Sequence, residues 1–166
     1  MIKYPFIRSR RSEIVRACEW TASPTRETTY SEGANRLYSL ERPYQWPFIS
    51  DCSAGVTDMY RWALCPDPNG LNYKGDPYTG TLVAHGNLIA AKRVRSGDVG
   101  ILGPGTGWHA VIALTGGPDP QVWSMGEQGD PRLYKASVVE QAVAYVNHVE
   151  SCEVRWFRYD TSLAAQ

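Results

Sequence analysis

The chain has no surplus of either charge: 17 Lys and Arg stand against 17 Asp and Glu in 166 residues. That balance argues against a nucleic-acid binder working through bulk charge, and leaves only a local basic patch open. No run approaches the ~18 apolar residues of a membrane-spanning helix. The four cysteines are Cys18, Cys52, Cys65 and Cys152, and none forms a CxxC pair. A zinc knuckle or thioredoxin-like motif is therefore not expected. The three histidines show no HExxH spacing and give no metal-ligand set, so neither metal nor other cofactor is expected. Internal repeats and low-complexity segments are also missing. The basic start, MIKYPFIRSRRSEIV, is followed by no apolar core of signal-peptide length. The expectation is a chain made in the cytoplasm without an export signal, delivered by something else if it acts outside.

What is present reads as an ordinary globular domain. The hydrophobic fraction of 43% is too high for intrinsic disorder. Residues 8–20 carry apolar positions at helical spacing, with Ser12 as a possible cap. Residues 21–50 show no sustained period and read as a long loop, of a length that often belongs to a site. Residues 52–64 read as a helix with Asp51-Cys52 at its start. The Pro, Gly, Asn and Asp density of 65–80 marks a loop, and 81–91 reads as another short helix. A Gly97-Asp98 turn introduces strand-like runs at Val99–Leu102, Trp108–Leu114 and Gln121–Met125, joined by tight turns. Residues 137–147 look helical, and Cys152–Tyr159 looks like a closing strand. Helices followed by a compact antiparallel sheet mean α+β. The expected division is an N-terminal helix and long loop over 1–43, packed on a core over 44–166, in one compact unit.

Cys52 is the first candidate for chemistry. A helix N-terminus offers unpaired N–H groups and a dipole that favour a thiolate. The same groups could bind an oxyanion. The small neighbours Ser53, Ala54 and Gly55 suggest room for a substrate, against the plain alternative of a buried helix-start cysteine. His109 is the second candidate. It opens the run His-Ala-Val-Ile-Ala-Leu beside a Gly-rich turn, where an imidazole can face a cleft and serve a thiol as base. His85 and His148 have no local reason to lie near Cys52. A third group should accept from the other ring nitrogen, and Ser124, Gln121 and Glu127 are the polar options on or beside the next strand. Tyr44 could lend a hydroxyl to an oxyanion site or simply pack, and Trp108 is the candidate aromatic wall.

These motifs resemble the NlpC-type cell-wall cysteine peptidases. Asp51-Cys52-Ser53-Ala54-Gly55-Val56 is similar to that family's "DCSG-F/V" signature, Ser96-Gly97-Asp98-Val99 to its Gly-Asp turn, and Trp108 through Leu114 to its "HVGIYL" strand. The order covers residues 44–127. The stretches Cys65–Gly70, Tyr78–Leu82 and Ser124–Pro131 are similar to lysin peptidase modules of actinobacterial phages. The resemblance implies a papain-like α+β fold in which Cys52 is nucleophile and His109 base. The reaction would be hydrolysis of an amide in the peptide stem of peptidoglycan, through an acyl-enzyme. It also implies a phage lysin or a tail-associated enzyme, with other lysis or tail proteins as partners and the cell wall as place of action. Where the family often has a third histidine, this chain has Ser124 if the TGGPDP turn is a short insertion, or Met125 if it is not. Ala54 replaces the usual glycine. These departures keep two alternatives open: a non-catalytic virion module retaining the fold, and an N-acetylmuramoyl-L-alanine amidase. Arg8, Arg10, Arg11 and Arg16 suggest a docking surface or a patch for anionic wall polymers.

Overall fold

The computed structural model describes residues 9–25, 27–126 and 131–164. Helix α1 spans Arg11–Thr21, and a long excursion follows. Strand β1 (Thr28–Tyr30) and strand β2 (Phe48–Ser50) pair in parallel, with Tyr30 opposite Ser50. Strand β2 leads at once into helix α2 (Cys52–Trp62). Helix α3 (Thr79–His85), strand β3 (Asn87–Ile89) and a single 3-10 turn over Ala91–Arg93 come next. Strands β4 (Val99–Leu102), β5 (His109–Ala113), β6 (Gln121–Met125) and β7 (Pro131–Lys135) form the antiparallel meander. Helix α4 (Ala136–Val146) and strand β8 (Val154–Arg158) close the chain. The six-stranded sheet runs β3-β8-β4-β5-β6-β7.

Alternation along the strands divides the core in two. Val99, Ile101, Ala110, Ile112, Trp123 and Met125 join Ile14 and Cys18 of α1 and Val56 and Met59 of α2 in one cluster. Leu102, Val111, Ala113 and Val122 join Ala136, Val139 and Ala144 of α4 in the other. Both faces of the central strands are thus covered, which is why they read as continuous apolar runs. Among the described residues no helix is long and apolar enough to cross a membrane.

Buried Asp98 holds three segments together. Its carboxylate accepts from Arg11 of α1 at 3.0 Å, from Arg158 of β8 at 2.7 and 3.0 Å, and from the Arg95 backbone N–H at 2.8 Å. The Gly-Asp turn is therefore a clamp as well as a strand introducer. Arg11 and Arg10, which donates to the Ala63 carbonyl at 2.9 Å, are spent inside the molecule. They do not form the free basic patch expected from the sequence. Arg8 lies outside the described residues.

Several elements differ from the sequence reading. Ser12 lies inside α1, whose N-cap is Arg10 with no side-chain cap bond. The stretch 21–50 is not all loop, because β1 and β2 find each other across a long separation that local pattern does not report. The expected helix over 81–91 is three short pieces. The α3 helix ends at His85, and Leu88 then opposes Phe157 in the sheet. Strand β7 is absent from the sequence reading, and it pairs antiparallel along the whole of β6.

Candidate active site

Helix α2 begins on the residue that matters. Asp51 has extended backbone, and its Oδ1 accepts from the Ala54 N–H at 2.7 Å and the Ser53 hydroxyl at 3.0 Å. This N-cap fixes the first turn and puts Cys52 at its start. Gly55, three residues on, is small for a packing reason. A methyl group there would lie 2.4 Å from the Trp123 ring. The missing side chain lets α2 sit directly on β6. Ala54 is fully buried. Of the three small neighbours only Ser53 lines the cleft, so the room expected from all three comes from one.

The Cys52 thiol accepts backbone hydrogen bonds from Ala110 and Ser53, so it sits against the first residues of β5. His109 immediately precedes Ala110 at the start of that strand. His109 Nε2 lies 2.8 Å from Ser124 Oγ on β6. The structure therefore sets Cys52 against the residue that follows His109, and pairs His109 with Ser124 across β5 and β6. Gln121 is exposed at the opposite end of β6, where its backbone N–H donates to Thr115. Glu127 lies outside the described residues. His85 is tied to the Thr81 carbonyl, and His148 follows α4 with positive φ. Neither hydrogen-bonds to α2 or β5; the cleft beside Cys52 is lined by Cys52, Ser53 and Trp108 but not by His109 or Ser124, which lie behind it.

Burial dominates the electrostatics. It pushes the Cys52 thiol up to about 12, reinforced by the Asp51 carboxylate, while the two backbone N–H groups pull it down. It pushes the His109 imidazole down to about 4, with Asp51 opposing. The helix-terminus lowering expected from the sequence loses to desolvation here. The resting pair is a neutral thiol beside a neutral imidazole.

A cleft of about 270 Å³ opens over the thiol, with Tyr30, Glu32, Arg36, Asp51, Ser53 and Trp108 among its walls. Arg36 is its organiser. Its Nε donates to Asp51, its Nη2 to Ser53 Oγ at 3.0 Å and to the Pro77 carbonyl at 2.6 Å, and its Nη1 to Asp76 at 2.5 Å. One guanidinium fork thus joins the excursion before β2, the nucleophile helix and the loop before α3. Tyr30 donates to Glu32 at 2.7 Å, and burial together with that carboxylate keeps its phenol protonated. Tyr44 is elsewhere. It packs with Trp20 and Trp62 in an aromatic cluster.

Sequence reasoning missed Tyr30, Glu32, Arg36, Tyr78 and Thr79. The only signal for the first three was the length of the 21–50 segment, and the pairing of β1 with β2 delivers them; Tyr78 and Thr79 reach the cleft at the start of α3.

No family model matches the chain, and no curated protein matches it. Two solved structures from Mycobacterium tuberculosis share its fold. Rv1477, described as a hypothetical invasion protein, is 20% identical with a TM-score of 0.59, over 96% of this chain and 66% of that one. The peptidoglycan hydrolase RipB (Rv1478) is 16% identical with a TM-score of 0.50, over 90% of this chain and 64% of that one. The chain spans just under two thirds of the length of either structure. At these identities the likeness establishes the fold alone: helices packed on an antiparallel sheet, as in RipB.

Proposed function

We propose that this chain is a cysteine endopeptidase of the papain-like NlpC type that hydrolyses an amide in the peptide stem of peptidoglycan. One observation carries the reading. A thiol at a helix start receives backbone N–H donation beside a histidine, and that histidine is held by a hydroxyl on the adjacent strand. The likeness in fold to a peptidoglycan hydrolase supports the choice of substrate. The stretches Cys65–Gly70 and Tyr78–Leu82 support a phage-borne enzyme, as a lysin or in a tail, working with other lysis or tail proteins at the host wall.

The chemistry follows from the tautomer. With Nε2–H donating to Ser124, Nδ1 is the acceptor left for the thiol proton. Because the resting pair is neutral, proton transfer accompanies attack rather than preceding it. The sulfur adds to the stem carbonyl, and N–H groups at the α2 start hold the oxyanion. The imidazolium then returns its proton to the leaving amine, and water attacks the thioester with His109 as base. Ser124 stabilises the imidazolium through its oxygen alone, less than a carboxylate would. The Glu32 carboxylate in the cleft wall suits a peptide stem that carries an amine.

The test is wild type against Cys52→Ala on isolated actinobacterial peptidoglycan, with products read by mass spectrometry. New amines from wild type alone are expected, with fragment masses that place the cut in the stem. A cut between sugar lactyl and L-alanine would instead make it an amidase. No product from either folded protein would favour a non-catalytic module.

A further inference from the structure

Trp108 borders two clefts. One is the thiol cleft, and the other is a larger hollow of about 550 Å³ between the Gly103–Gly107 turn and the segment leading into β8. A methyl group on Gly103 would stand 2.6 Å from the indole, so the ring rests directly on the turn. Trp108 is nonetheless 41% exposed. Arg155 fixes the turn from below, donating from Nη2 to the Gly103 and Gly105 carbonyls at 2.8 Å each. The platform is therefore built and held, with glycines at φ +96°, +57° and +88° where only residues without a side chain sit easily.

The two clefts differ in character. The thiol cleft is lined by Glu32, Arg36 and Asp51. The second has one acid, Glu153, one base, Arg155, which the turn occupies, and Pro104, Val149 and Ser151. A supported indole with a neutral rim and a few hydroxyl or carboxylate acceptors suits an uncharged ring bearing hydroxyl and amide groups.

We infer that this second cleft is a carbohydrate subsite, which takes an N-acetylated sugar of the glycan while the stem attached to it crosses Trp108 to Cys52. The inference rests on the proposed stem-peptide hydrolysis and adds a glycan contact to it. It makes the wall polymer, rather than the free peptide, the preferred substrate. Trp108 is the residue shared by both parts of the ligand.

The experiment compares kcat/KM for a free stem peptide, the same stem on its disaccharide, and a stem extended instead by a cross-linked second peptide. The disaccharide is expected to raise kcat/KM by about tenfold, and the second peptide to add nothing. Ser151→Trp, at an exposed position, fills the cleft and brings the disaccharide-to-free ratio close to one. Val149→Glu, also exposed, places a charge there and does the same. Equal kcat/KM with and without the sugar overturns the inference, as does a gain from the second peptide alone. Calorimetry with an N-acetylglucosamine tetramer separates this from failure of the enzyme reading. If no stem is cleaved, tetramer binding that Ser151→Trp abolishes sustains the subsite without the hydrolase, and absence of binding removes both.

Discussion

His109 and Ser124 meet diagonally across β5 and β6, Nε2 to Oγ at 2.8 Å, although Ser124 stands opposite Val111 in the strand register. A side chain two places off register reaches the imidazole because both residues lie on the same sheet face. Ser124→Ala removes the acceptor from Nε2. The expected loss in kcat is between about tenfold and hundredfold with KM little changed, smaller than for loss of a carboxylate partner. Ser124→Asn restores an acceptor and should recover part of the rate. An unchanged kcat in Ser124→Ala would assign the serine to packing.

The neutral resting pair sets the reactivity of the thiol. With Cys52 pushed up to about 12 and His109 down to about 4, no thiolate–imidazolium plateau is expected at acid or neutral pH. Alkylation of Cys52 by iodoacetamide should rise steadily with pH toward the alkaline limit. A rate that stays flat from pH 5 to 8 would show a preformed ion pair instead.

His109 also couples the fold to pH. The unfolded chain takes up this proton near 6.5 and the folded chain near 4. Between those values the unfolded state binds more protons, so stability is full above 6.5 and falls as the pH drops toward 4. The loss from this group is on the order of 3 kcal/mol. Urea midpoints measured across that window should show it in wild type and not in His109→Gln.

Arg36 joins three segments, and its side chain is 13% exposed against 6% for Asp51. Arg36→Ala leaves the Asp51 carboxylate without its cation and frees Ser53 and Pro77. A stability loss of about 3 kcal/mol is expected, with a fall in kcat as the α2 start loosens. Arg36→Lys should rescue little, because an ammonium cannot serve Asp51, Ser53 and Pro77 at once. Asp76, at 83% exposure, is a weak partner, and Asp76→Asn should cost less than about 1 kcal/mol. Denaturant titration of the three variants gives the ranking.

Gly55 sets the distance between α2 and the sheet. Gly55→Ala places a methyl 2.4 Å from the rigid, fully buried Trp123 ring, so one of them must shift. A loss of about 1–3 kcal/mol in thermal unfolding is expected, helix propensity notwithstanding. A stabilised variant would mean that α2 rides further off β6 than the structure has it.

The sequence by itself determined the local signals. Asp51 before Cys52 gave the capped helix start, Gly97-Asp98 the turn, and the apolar runs at Val99, Trp108 and Gln121 the central strands, because caps, turns and periodicity are written within a few neighbouring residues. It also presented Cys52, His109 and Ser124 as separate candidates. Tertiary structure alone decided that His109 meets Ser124 and that the start of β5 meets Cys52, that Gln121 stays at the far end of β6, and that Tyr44 packs on Trp20 and Trp62. It alone brought Tyr30, Glu32 and Arg36 to the thiol through the β1–β2 pairing. It also reversed the expected direction for the thiol. A helix terminus is a local feature, whereas desolvation depends on everything that packs around the sulfur, and no spacing of residues along a chain states how much water the fold will exclude.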